Sequence, residues 1–125
     1  MRTVKFRGKA VGSCHWVYGD LVWDGSIPAI FEDTNLEEAV IVKRHTLGMN
    51  TGLTDKNGRE IYGGDILAHN GKTMGHVVDG VRGYCFDVVY ITPAGEKSCP
   101  LYEVVTHNFK GDVEVVGNIY DDSRK

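Results

Sequence analysis

The sequence predicts an all-β protein of two small lobes, the C-terminal one an SH3-like barrel, with minimal helix. Three observations carry that prediction. Apolar and polar residues alternate with a period of two along many short stretches, the pattern of strands that bury one face. Glycine occurs 16 times and proline only 3 times in 125 residues, and the glycines are scattered, so turns punctuate the chain without any linker-like segment. Apolar residues at helical spacing are nearly absent.

The elements follow in order. Val4, Phe6 and Arg7-Gly8 read as a first strand. Trp16 and Tyr18, then Leu21-Val22-Trp23, flank a predicted turn at Gly19-Asp20. Ile27 to Phe31 is a short strand after Gly25-Ser26. Asn35-Leu36-Glu37-Glu38 reads as a short helical turn, and Ala39-Val40-Ile41-Val42 as a buried β-branched strand. A composition break at Lys43-Arg44-His45-Thr46 separates an N-terminal β lobe, residues 1–50, from a C-terminal lobe, residues 51–125, unless the two form one compact unit. Thr46-Leu47-Gly48-Met49 is a second helical turn. The strongest local signal lies in 51–66. There Asp55-Lys56-Asn57-Gly58 ends in the Asn-Gly dipeptide that tolerates the positive φ angles of a hairpin, between apolar Leu53 and Ile61. Gly64-Asp65-Ile66 opens the predicted barrel, followed by a glycine-rich hairpin from Asn70-Gly71 to Gly75. His76-Val77-Val78 and Tyr84 to Ile91 read as strands joined at Asp79-Gly80. Leu101 to Val105 reads as another, and Asp112 to Tyr120 as the last. Eight to ten strands in so small a chain imply a barrel or sandwich.

A chain of this length buries roughly two-thirds of its unfolded surface, enough for a core without staples. Its apolar runs are too short for a transmembrane helix. The first residues lack the apolar stretch of a secretory signal. The net charge of −3 argues against strong generic affinity for DNA or anionic lipid. The charge is nonetheless uneven. Residues 1–16 hold Arg2, Lys5, Arg7 and Lys9 with no acid, and residues 20–38 hold Asp20, Asp24, Glu32, Asp33, Glu37 and Glu38 with no base. Two solvated faces would explain this; so would complementarity between subunits.

The chemistry-bearing residues do not assemble into a catalytic pattern. Cys14, Cys85 and Cys99 are odd in number and widely spaced, which argues against a disulfide framework, and no CxxC suggests zinc. Cys14 and His15 are sequence neighbours, which on a strand point to opposite faces. His15, His45, His69, His76 and His107 are not at metal-ligand spacing, although His69 and His76 could face each other across the 70–75 turn. No catalytic residue, metal ligand or cofactor is expected. Asp55 to Gly58 reads as turn chemistry, with charge presentation to a partner as the alternative. Asp65 reads as an acceptor for its own backbone, and Gly117-Asn118 as a turn or bulge. Tyr62 and Tyr120 read as core residues bridging the lobes, with base stacking as their alternative use. Trp16, Tyr18 and Trp23 beside Arg7 form the candidate binding or oligomer-interface patch, because Trp and Tyr are enriched at interfaces. Aromatics beside Lys5, Arg7 and Lys9 would also suit single-stranded nucleic acid.

Three segments together resemble the YopX family of phage and prophage proteins. They are Lys5-Phe6-Arg7 with Trp16-Val17-Tyr18-Gly19-Asp20-Leu21, the run from Asn50 to Ile66, and Val113 to Asp121. The middle segment carries the most specific pattern, with Thr51-Gly52-Leu53, Asp55 to Gly58, Glu60-Ile61-Tyr62 and Gly64-Asp65-Ile66 in order. In the last segment Gly117-Asn118-Ile119-Tyr120 carries the match. Gly63 departs from the acidic residue common there. The resemblance implies a mostly β two-lobed fold, a homo-oligomeric habit and a cytoplasmic place in a bacterial host. It implies no reaction. The combined expectation is a non-enzymatic accessory protein. Its partners would be itself and an unidentified host or phage protein, with no membrane partner. A small-barrel nucleic-acid binder is the alternative.

Overall fold

A computed structural model describes residues 5–32, 35–79 and 86–121. The expectations for Arg2, Val4, Asp33, Gly80, Tyr84 and Cys85 lie outside the described residues. The rest of the chain is mainly β, in two antiparallel sheets. Among the described residues eleven strands run β1 Phe6–Lys9, β2 Trp16–Asp24, β3 Ile27–Glu32, β4 Asn35–Ile41, β5 Gly48–Thr54, β6 Glu60–Tyr62, β7 Asp65–His69, β8 Lys72–Asp79, β9 Phe86–Thr92, β10 Gly95–Pro100 and β11 Glu114–Asn118. One sheet has the order β4-β3-β2-β1-β5-β6 and the other β10-β9-β8-β7-β11. The chain divides into two compact units, residues 1–50 and 51–125.

In the first unit, alternation along the strands builds the core. Val17, Ile30 and Val42 are buried, with Phe6, Leu21, Val40 and Leu47 packed on them. The strand register puts Phe6, Val17, Leu21, Ile30 and Val40 on one face of the sheet. Gly19 makes no turn. β2 runs straight through it, and glycine is needed because a Cβ would run into the Phe31 carbonyl oxygen. Asn35 to Glu38 is strand, not a helical turn, because pairing with β3 overrides the helix preference of Leu and Glu. The second expected turn is a single 3-10 turn at Arg44–Thr46, and Gly48 onward belongs to β5.

The second unit closes its core around Ile61, Leu67, Val77, Val88, Leu101, Val104, Val105, Val113 and Val115. Residues 101–105 are not a strand. A short helix α1, Leu101–Glu103, continues as a π-helical turn, Val104–Asn108. Leu101, Val104 and Val105, at i, i+3 and i+4, are its buried positions. The expected SH3-like barrel is not closed: among the described residues β10 and β11 remain the two ends of an open sheet.

The two Asn-Gly turns differ. At Asn70-Gly71 both residues have positive φ, 53° and 80°, and His69 pairs directly with Lys72, as a two-residue hairpin requires. At Asn57-Gly58 only Gly58 is left-handed, at φ 80°. The Gly58 N–H donates to the Asp55 carbonyl and the Asp55 N–H to the Arg59 carbonyl, the longer type I hairpin with a bulge.

Asp55 also does something its turn does not need. Its Oδ1 accepts the N–H groups of Asn57 and Arg59, both at 2.9 Å, and its Oδ2 accepts the Val115 N–H at 2.9 Å, 60 positions away. Lys56 adds a backbone bond to the Val113 carbonyl at 2.8 Å. The hairpin tip thus covers the outer edge of β11, whose other edge is paired to β7. Burial works against a charge on Asp55. The three backbone donors and the nearby Arg59 cation outweigh it and hold the carboxyl below its ordinary pKa.

Candidate functional site

The face of the first sheet opposite its core is built by the same register. Arg7 pairs with Tyr18 and Lys9 with Trp16, so these four side chains share it. Farther along β2 the same face carries Asp20, Val22 and Asp24. Across the strands, Val22 lies beside Ala29 and Ala29 beside Ile41, while Asp24 lies beside Ile27. The result is an apolar surface in water: Tyr18 is 40% exposed, Val22 38%, Ile27 48% and Ile41 51%. Exposed apolar side chains gathered on one sheet face are suited to contact, which makes this the strongest candidate site of the unit.

The residues singled out from the sequence are not all brought together here. Trp16 and Tyr18 share the outer face. Arg7 reaches it but is buried, with its guanidinium 4.6 Å from the Trp16 ring centre, so it presents no open charge. Trp23 is separated from them. It pairs with Pro28 and points, by strand alternation, to the face of Val17 and Leu21, where the Arg44 guanidinium lies 5.8 Å from its ring centre. The odd spacing from Tyr18 to Trp23 already carried that signal. Val22, Ile27 and Ile41 were missed as surface residues because a β-branched residue reads as core until the register is known.

The motif residues of the second unit occupy structural positions. Thr51 Oγ1 accepts the Leu53 N–H at 3.2 Å, next to the exposed Gly52 at φ 85°. Ile61 and Tyr62 are buried. Asp65 accepts the Tyr62 N–H at 2.8 Å. Gly64, at φ 95°, lies under the Tyr120 ring, where a Cβ would come within 2.6 Å of Cε2. The register of β11 shifts between Val115 and Gly117, so a bulge precedes Asn118. The Asn118 side-chain oxygen accepts the N–H groups of Tyr120 and Asp121, and Ile119 is exposed.

Other placements are chemically plain. His69 and His76 lie on opposite faces of their sheet, since His76 pairs with Ile66 while His69 is three residues further along β7. Cys14, at φ 62°, is exposed with the Lys43 ammonium 3.1 Å from its sulfur, and Cys99 is half-buried. Among the described residues no three His, Cys, Asp or Glu side chains gather as a metal site, and no helix is long and apolar enough to cross a membrane. An open depression of about 410 Å3 in the second unit is lined mainly by Leu53, Phe86, Pro100, Leu101 and Tyr102, with Thr51 and Glu103 also on its wall.

The arrangement is that of a small, mainly β protein whose most distinctive surface is a sheet face fit for contact. The chain belongs to the YopX family: the family described as YopX protein matches residues 5–125, nearly its whole length. Among curated proteins no match is found.

Proposed function

We propose that this YopX-family protein is a non-enzymatic phage or prophage accessory protein that works as a homo-oligomeric interaction module in the bacterial cytoplasm. The observation that carries this reading is the outer face of the first sheet, where Tyr18, Val22, Ile27 and Ile41 are exposed on one side, Val22 and Ile41 flanking Ala29, with Asp20 and Asp24 interspersed along β2. Water contact with such a face is unfavourable by about 25 cal/mol per Å2, and association removes it. Several copies held together would present their remaining surfaces to a host or phage protein as a multivalent array, which raises avidity without new contacts. An SH3-like relation of the second sheet is compatible with its short strands and with the register shifts in two of its pairings.

Light scattering behind size-exclusion chromatography tests the reading. The wild-type chain is expected as a discrete multimer that persists in high salt, because apolar burial is not screened. Val22→Ser with Ile41→Ser is expected to yield monomer while the far-ultraviolet circular dichroism is unchanged. A wild-type monomer at high concentration would sink the proposal. Mass increase only on addition of a single-stranded oligonucleotide would turn it to the nucleic-acid alternative.

A further inference from the structure

The open depression of the second unit has the volume of a small-molecule site, about 410 Å3, and a wall of two characters. Leu53 of β5, Phe86 at the start of β9, and Pro100 and Leu101 at the junction of β10 with α1 make most of it apolar. Tyr102 and Glu103 stand on the helix side. Among the described residues that line it, Glu103 alone carries a charge, and that charge is negative.

The π-helical turn that follows positions both of these side chains. In an α-helix, residues i and i+5 point well apart. The wider turn of Val104–Asn108, closed by the Phe109 N–H donating to the Val104 carbonyl at 3.2 Å, brings His107 to both residues. Its ring meets the Tyr102 ring edge to face with centres 5.9 Å apart, and its Nδ1 lies 3.3 Å from the Glu103 carboxylate. Thr106 Oγ1 donates to the Tyr102 carbonyl at 2.6 Å on the same turn. One imidazole thus props a phenol ring and a carboxylate beside an apolar hollow. A carboxylate offers about four acceptor sites and an imidazole N–H takes one, so Glu103 has capacity for a further donor.

Such a wall selects by charge. A cation gains from the carboxylate and from the faces of aromatic rings, whereas an anion is repelled by Glu103. A neutral ligand gains from apolar burial alone. We infer that the depression binds a small organic ammonium. The ligand is a free molecule whose apolar body seats on Leu53, Phe86 and Leu101 and whose amine is held by Glu103 beside Tyr102. The site lies wholly in the second unit and does not depend on self-association through the first sheet.

Amide NMR titration of the full chain tests this with probes that share a benzyl group and differ in charge: benzylammonium, benzyl alcohol and phenylacetate. The titrations run at about pH 8, where an ordinary imidazole carries no charge. Benzylammonium is expected to shift the amides of Leu53, Phe86, Leu101 and Tyr102 with a millimolar dissociation constant, about fivefold tighter than benzyl alcohol, with phenylacetate weaker still. Glu103→Gln is expected to bring benzylammonium level with benzyl alcohol and to leave the constant of the alcohol unchanged. Glu103 is exposed, so this variant is expected to fold, and circular dichroism checks it. Equal constants for the three probes, or a preference that survives Glu103→Gln, overturns the ammonium assignment. Shifts scattered over the surface, or none around this hollow up to the solubility of the probes, overturn the site itself.

Discussion

Asp55 is a turn residue by its local sequence and a tertiary residue by what it holds. A buried carboxylate with three backbone donors stays ionised because those donors replace its water. Asp55→Asn keeps the shape but loses the charge and one acceptor, and is expected to cost about 1.5–3 kcal/mol at neutral pH. Urea denaturation from pH 3 to 7 checks the cause. With the folded pKa lowered, the contribution of Asp55 is fully present above the unfolded value of about 3.9 and is lost as pH falls through the folded one. The gap between wild type and Asp55→Asn is therefore expected to narrow below about pH 4 and to stay constant between pH 5 and 7. A gap that persisted at low pH would mean that packing, not charge, sets the cost.

At the level of elements, what could be read in advance depended on how local the determinants were. The hairpins at 57–58 and 70–71 were legible because Asn-Gly encodes its own backbone geometry, although the second turn was expected to run to Gly75 and instead ends at Gly71, with Lys72–Asp79 as strand. Which Asn-Gly makes the tight turn was not, since hydrogen bonds from Asp55 select the longer form at the first. The segment 101–105 was misread for a physical reason: Val104 and Val105 are β-branched and suit strands. The i, i+3, i+4 spacing of Leu101, Val104 and Val105 outweighs that preference by burying one side, and Pro100, the last residue of β10 and the helix N-cap, has no N–H to give to a ladder. Leu101→Ala is expected to cost about 2–5 kcal/mol by equilibrium unfolding, because its side chain is 1% exposed and anchors that turn to the core.

For the molecule as a whole, period two identified the sheets, but the identity of the outward face depended on register, which pairs residues far apart in sequence. Tyr18 and Trp16 were legible as a shared face because they lie two apart on one strand. Val22 and Ile41 were not, because their adjacency through Ala29 exists only once three strands are aligned. Charge is likewise a property of the assembled surface. Arg7 counts in the sequence as a free cation and is spent in the fold on Trp16. With that cation covered and a net charge of −3, fluorescence anisotropy with a labelled oligonucleotide in 50 mM salt is expected to give a dissociation constant weaker than about 0.1 mM. Tight, salt-sensitive binding would reassign the Lys9–Trp16 end to nucleic acid.

The bond between Asp55 and Val115 also orders events in time. A ribosome releases the first hairpin of the second unit long before it has made β11, at about 5–20 residues per second. Throughout that interval the carboxylate faces water, and the tip of the hairpin has no edge to cover. Only when residue 115 leaves the exit tunnel can the latch shut, so β11 completes a hairpin made 60 positions earlier. A nascent chain halted before that point would hold the carboxylate by the Asn57 and Arg59 donors alone, and the latch would mark the moment when synthesis of this unit becomes folding.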